Sequence, residues 1–452
     1  MPFGLEQAEA VLKKAARRGA SAADLFFSEG TSFSAQVRLR EVEKTSSAKS
    51  KGLGLRIFFG KRAAVVSTSD LDDPALDQLV EDACALARCV EEDPFSGLPD
   101  AAAYATDFPA LDLVDPEIGG LSIEEKIDLA RQAEQAAFDS DSRITNSEGA
   151  DFGHTENRIL YATSAGFAQT YSTSALSLSV SPIAASDGQM QRDYWYTMSR
   201  KYRGLQTPLS VGRTAAQRAL RRLGARKVAT QQVPVVFDPE TAASLLEHLA
   251  SALSGYAIYK KASFLADRLG AQIAAPSITL YDDPTLPSGL GSRPFDGEGL
   301  PARKKSVIEN GVLKSYLLDT YSGRKLGLPS TGNAVRGTAG PPSVGVSNFY
   351  LSAGAYTPDE MIASVRTGLY VTELIGFGVN TVTGDYSRGA CGLWIDNGAL
   401  TYPVEEITLA GNLREMFQQI EMVGNDLDLT RAIAAPTLKI NGLTLAGNER
   451  LP

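Results

Sequence analysis

The sequence is poor in the residues that most often do chemistry. Its 452 residues include two histidines, His154 and His248, and three cysteines, Cys84, Cys89 and Cys391. With so few imidazoles, a metal site built on several histidines cannot be assembled from this chain alone. The odd, scattered cysteines exclude a disulfide framework and suit a reducing compartment. Cys84 and Cys89, in EDACALARCV, read as small core residues of a helix. Cys391 follows a glycine-rich loop that leaves room for exposure. A nucleophile there needs a partner base, however, and neither histidine is placed near it, so it reads as inert. Positive charge is also short: 44 Lys and Arg against 53 Asp and Glu give a net charge of −9. That excludes a broadly basic surface for nucleic acid. No run approaches the roughly 18 uninterrupted apolar residues of a membrane span. The opening stretch, MPFGLEQAEAVLKKAARRGASAADLFF, is charged throughout and lacks the apolar centre of a secretion signal. The expectation is a soluble, cytoplasmic protein. No internal repeat is visible, which excludes a solenoid.

What is present is an ordinary globular composition, 43% hydrophobic and 21% charged. The length exceeds that of one typical domain, so two are expected, 1–228 and 229–452, meeting at the helix-to-strand passage 227–234. The first begins with an amphipathic helix over 5–18, then strands over 22–29 and 31–40, the second alternating Phe33, Ala35, Val37 and Leu39 with polar neighbours. A hairpin turns at Gly60-Lys61. Asp72-Asp73-Pro74 starts a second helix, and Ser122 with Glu125 makes a capping-box pattern for a third. Strands return over 144–149, 155–162 and 167–180. Pro208 opens a helix stopped by Gly224, and Arg213, Arg218, Arg221, Arg222 and Arg226 on and after it read as a solvated basic face, with a partner subunit or acidic peptide as the alternative.

The second part is rich in short strands with Gly-bearing turns, among them Glu309-Asn310-Gly311 and Asp396-Asn397-Gly398, and this suits a barrel or a sandwich. The stretch 235–336 stands out. A strand leads into a helix that starts at Asp238-Pro239-Glu240 and carries Leu245, Leu249, Ala252 and Leu253 at helical spacing. Beyond it SGLGSRPFDGEG is too long for a tight turn and too rich in glycine for a helix. A connection of this kind is functional or disordered, and the strand-like VIENGVLKSYLLD after it argues for order. Arg293, Asp296 and Glu298 are therefore the candidates for lining a groove that holds an extended peptide or a neighbouring loop. The competing reading is an intraloop salt bridge that fixes the loop. Asp282-Asp283-Pro284 reads as turn and cap chemistry rather than a cation site.

SGLGSRPFDGEGLPARKKSVIENGVLKSYLLDTYSGRKLGLPSTGNA resembles the signature of the TldD/PmbA family, also called the modulator-of-gyrase family. The match is closest to its PmbA branch, also named TldE. GLGLRIFFGKRAAVVSTSDL, NSEGADFG, LGARKV and YVTELIGFGVNTVTGDYSRGACGLWIDNGALTYPVEEITLAGNL extend the resemblance along nearly the whole chain. It implies an α+β fold, with a two-layer α/β N-terminal domain followed by a β-barrel-like C-terminal domain. TldD-type members are similar to zinc peptidases, with His-Glu-x-x-x-His after a Leu-Leu pair. Here that pair is Leu245-Leu246; Glu247 stands at the first His position, His248 at the Glu position and Ala252 at the second His position. The C-terminal segment NDLDLTRAIAAPTLKI also lacks the Cys that TldD-type chains carry. The resemblance thus implies a subunit with no catalytic residues and no metal of its own, working with a zinc-bearing TldD-type partner on unfolded or small peptides, including the maturation of peptide antibiotics. The alternative is a stand-alone homodimeric hydrolase or a peptide-binding protein.

Overall fold

The computed structural model describes residues 3–448. A seven-stranded antiparallel sheet organises the first half. Its strands are β1 (Ala22–Arg38), β2 (Glu41–Phe59), β3 (Arg62–Thr68), β4 (Ile144–Thr163), β5 (Ala168–Ser186), β6 (Gln189–Arg192) and β7 (Trp195–Ser199), in the order β3-β2-β1-β4-β5-β6 with β7 also on β5. The sequence reading broke β1 at Gly30. The strand instead runs through, Gly30 pairing with Ser50 on one side and Asn157 on the other. Glycine serves a close approach here, since a Cβ would sit 2.3 Å from the Asn157 side-chain oxygen. Segments 144–149 and 155–162 likewise merge into β4, where a register shift between Ser147 and Ala150 absorbs Gly149 at φ 119°.

Side chains alternate across a strand, so one face of this sheet carries two apolar patches in series. Leu25, Phe27, Leu53, Leu55 and Leu160 pack under α1 (Leu5–Arg17) and α2 (Asp73–Cys89). Further along, Phe33, Ala35, Val37, Phe152 and Leu178 pack under α3 (Ile123–Phe138) and α4 (Pro208–Leu220). The capping box of Ser122 and Glu125 starts α3 as expected. Cys84 is buried, but Cys89 lies exposed at the end of α2 rather than in the core. Because β3 covers only 53–59 of β2, residues 41–51 form a free sheet edge with every side chain exposed.

Of the arginines on α4 and the stretch after it, Arg213 and Arg226 are exposed, but Arg218, Arg221 and Arg222 do not belong to a solvated face. Arg218 is buried, with Nε 3.3 Å from Asp193 and Nη2 3.1 Å from Glu240. Arg222 pairs with Glu373 at 2.6 Å. The residues that neutralise them lie on β7's leading loop and on the second half of the chain, beyond the reach of helical periodicity.

The second half is built around a closed barrel. Its strands are β8 (Ala229–Phe237), β9 (Thr367–Ile375), β10 (Asp385–Asp396), β11 (Ala399–Asn412) and β12 (Leu438–Asn448). They follow the order β11-β10-β9-β8-β12, and β11 pairs with β12 to close the ring. β8 and β9 are parallel, and the remaining pairs are antiparallel. Asn310-Gly311 and Asn397-Gly398 all take positive φ, the geometry the expected hairpin turns require. After β8, α5 (Pro239–Leu253) is capped by Asp238, which accepts from the Thr241 amide. It buries Leu245, Leu246, Leu249, Ala252 and Leu253 in one core with Phe237, Val371 and Tyr386. Cys391, on β10, is buried at 6% exposure, so the loop before it does not expose it. Among the described residues no helix is long and apolar enough to cross a membrane.

Candidate functional site

Polar chemistry gathers in two places. The first is the seam where loops of the second half lie on the N-terminal sheet. Asp24 is fully buried and faces Arg56, its register partner on β2. The Arg56 guanidinium donates to it at 3.2 and 2.5 Å, the Tyr161 hydroxyl donates at 3.0 Å, and Arg336 lies 2.8 Å away. Burial alone raises a carboxyl pKa, but Arg336 and Arg56 outweigh it and hold Asp24 below the ordinary range. Phe295 closes the seam, edge-on to Phe167 and Tyr171. At Gly54 a Cβ would sit 2.1 Å from the Thr338 carbonyl oxygen, so the loop that follows Arg336 presses directly on β2.

Arg293, Asp296 and Glu298 do not line one groove. Asp296 is 2% exposed, and backbone amides take up its carboxylate: Glu298 and Leu300 donate at 2.9 Å and Ala334 at 3.1 Å. It braces two loops, and burial, the largest influence, raises its pKa despite Arg293 nearby. Arg293 is half-buried, and its Nε and Nη2 have no partner among the described residues, so the intraloop salt bridge is not formed either. Glu298 alone reaches a cleft. That cleft, of about 560 Å³, is lined by Arg56, Glu298, Asp319, Tyr256, Tyr259 and Tyr321 among others. Glu298 accepts from the Thr320 amide at 2.8 Å and lies 3.9 Å from Arg56.

Burial dominates at Glu298, lifting its pKa from 4.5 to about 7 in spite of Arg56. For an acid, a raised native value means that the fold prefers the neutral form. Stability is then greatest below the unfolded value and falls as pH rises from about 4.5 to about 7. Glu298→Gln is expected to remove that decline. Relative to the parent it should gain on the order of 2 kcal/mol between pH 4.5 and pH 8, read from urea unfolding at each pH. An offset that does not change with pH would contradict this.

The second place is the outer side of α5. Glu247 is exposed, whereas Ala252 has no exposed surface and lies in the core. Five residues on a helix turn the direction by about 140°, so the two positions do not converge. His248 is half-buried, with its ring edge-on to Tyr386 at 6.3 Å. Burial, and then the charge of Arg388, lower its pKa and keep it neutral. One imidazole, a diverging carboxylate and a buried alanine do not fit zinc. Asp282 and Asp283 serve as structure: Lys305 and Ser347 satisfy Asp282, and Asp283 accepts from Thr285 in a turn.

The sequence reading missed Asp24, Arg56, Tyr161 and Arg336, and also Tyr386 and Arg388. For Asp24 and Arg56 a signal exists, a lone charge inside each of two apolar strand runs, AADLFF and GLRIFF.

Family models for the PmbA/TldA metallopeptidase match along the chain: domain 1 at 23–87, the central domain at 116–223 and the C-terminal domain at 230–447. Metalloprotease PmbA of Escherichia coli O157:H7 is 39% identical over 98% of this chain and 96% of its own. The Metalloprotease PmbA homolog of Haemophilus influenzae is 36% identical over 98% and 96%. Among solved structures, a candidate modulator of DNA gyrase from Bacteroides thetaiotaomicron superposes with a TM-score of 0.90 at 30% identity, covering 98% of both chains. TldE from Thermococcus kodakarensis shares the fold, with a TM-score of 0.87 at 22% identity over 98% of this chain and all of the other (100%). By overall sequence, by fold and by the order of its matched segments, the chain belongs to the PmbA/TldD metallopeptidase family.

Proposed function

We propose that this chain is a PmbA/TldE-type subunit which acts with a zinc-bearing TldD-type chain, in the cytoplasm, in the proteolysis of unfolded or small peptides. It supplies structure and substrate contacts and carries no zinc of its own. The observation that supports this reading most is the donor set on α5, where Ala252 is fully buried, Glu247 points to solvent and His248 is the helix's single imidazole. Its relatives bear the name metalloprotease, and zinc supplies a Lewis acid and an activated water where it is bound. Among the described residues no cluster of His, Cys, Asp and Glu is arranged to hold it. The chain's own contribution is then to position an extended peptide against rigid elements.

The test is metal content and cleavage of an unfolded peptide by the purified chain, alone and after mixing with a TldD-type chain. The expected result is substoichiometric zinc and no cleavage alone, with both appearing in the mixture. Stoichiometric zinc and cleavage by this chain alone would replace the proposal with a stand-alone hydrolase.

A further inference from the structure

Beside α5 three buried polar atoms lack any hydrogen-bond partner among the described residues: Nε2 of His248, the hydroxyl of Tyr386 and Nε of Arg388. They belong to one neighbourhood. Tyr386 and Arg388 are two apart on β10 and so face the same side of the strand, and His248 meets the Tyr386 ring edge-on. The Arg388 charge acts on Glu247, His248 and Tyr386 alike. Arg388 donates once, from Nη2 to the Leu374 carbonyl at 3.1 Å, and makes no ion pair among the described residues. Tyr386 is 1% exposed. A buried phenol and a guanidinium nitrogen left without partners are costly, and native proteins seldom keep such atoms together without a use for them.

The chemistry of the missing partner follows from what is offered. A guanidinium N–H and a phenol O–H only need an acceptor, and a neutral imidazole can present its N–H as well. Arg388 has no direct ion pair among the described residues, and Glu247, the carboxylate on which its charge acts, is exposed, so the guanidinium has room for one direct negative partner. A carboxylate has both, with two oxygens that match a guanidinium edge. Glu247, the residue before His248, is exposed, and its own negative charge disfavours a dianion such as phosphate more than a monoanion. His248 and Arg388 are half-buried, so the cluster lies just beneath the surface beside Glu247.

We propose that His248, Tyr386 and Arg388 form a receptor for the terminal carboxylate of a peptide, with the exposed Glu247 beside it tuning its charge. This rests on the peptide-handling function proposed above, and it adds an end-specific contact to it. Of its residues only His248 lies on α5, at what the resemblance makes the Glu position of the zinc-bearing chains' motif, and Glu247 beside it stands at the first His position.

The test is isothermal titration calorimetry of the full chain with acetyl-trialanine as the free acid and as the C-terminal amide. The acid is expected to bind at least about tenfold more tightly. Arg388→Gln should abolish that preference. Tyr386→Phe should shrink it several-fold without lowering the melting temperature, because the hydroxyl has no protein partner to lose. This second variant decides the matter if Arg388→Gln fails to fold. Glu247→Gln should strengthen binding of the acid. Equal binding of acid and amide, binding of neither, a preference that survives both substitutions, or tighter binding of inorganic phosphate than of acetate would each overturn the assignment. The two proposals fail separately. Zinc and cleavage by the chain alone would end the subunit reading without touching the acid-to-amide ratio, and loss of that ratio would leave cleavage by the mixed chains intact.

Discussion

Asp24→Asn is expected to destabilise the chain by about 3–5 kcal/mol, the scale of an ion pair broken inside a protein by removal of one partner. Asparagine keeps the shape of the side chain and an oxygen for the Tyr161 hydroxyl. What it removes is the one negative charge that faces both Arg56 and Arg336. The Arg336 side chain has no exposed surface, so water cannot replace that charge. Glu298, 3.9 Å from Arg56, offers only partial relief, because its own burial favours the neutral form near pH 7. Urea unfolding at pH 7 measures the cost, and a loss under about 1 kcal/mol would show that the two arginines are neutralised by other means. The acid limb provides a second check. Asp24 has a depressed native pKa, so its stabilising contribution is present above the unfolded value and is lost as pH falls through the native one. The variant should lack that part of the acid dependence.

The second large effect is expected at Arg218. Its guanidinium sits between Asp193 and Glu240, with Asp238 3.9 Å away and Trp195 stacked beneath at 5.2 Å. Arg218→Ala leaves three carboxylates in a poorly hydrated place. Arg431, 2.7 Å from Glu240, and Arg222, 3.9 Å from Asp193, keep part of the compensation. The expected loss is about 3 kcal/mol. Arg218→Lys should recover some of it by restoring the charge, but not the fork or the stacking. Because this residue ties α4 of the first half to the start of α5 in the second, the alanine variant should also be cut by trypsin near Lys227 well before global unfolding. Unchanged stability, or proteolysis no faster than in the parent, would mean that the network adds nothing to the union of the halves.

Local signals in the sequence proved reliable wherever the causes are local. The caps of α2, α3 and α5 and the Asn-Gly hairpins follow from side chains within three residues of each other, and all formed. Strand limits were harder to read because Gly30 serves a contact with Asn157, which is 127 positions away and cannot be seen in a window. Arg218 and Arg222 depart from the expected solvated face for the same reason: helical spacing cannot show the acids that pair with them, Asp193, Glu240 and Glu373. At the candidate sites, Glu298 lines a cleft, whereas Asp296 is taken up by backbone amides and Arg293 is not joined to either. A glycine-rich loop advertises that something special is nearby, but the direction of each side chain is set by the sheet that the loop is pressed against.

The free edge of β2 over 41–51 has a consequence for how the backbone meets water. On an antiparallel edge strand, successive amides point alternately toward the neighbouring strand and out to solvent. Isotope exchange along 41–51 should therefore alternate between protected amides bonded to β1 and amides that exchange almost as fast as in an unfolded chain. The alternation should end at Leu53, where β3 covers the other side and both sets become slow. A strand added to this edge from outside, whether by another chain or by an extended peptide, would erase the alternation residue by residue. The exchange pattern of this one strand thus records whether the edge is in use.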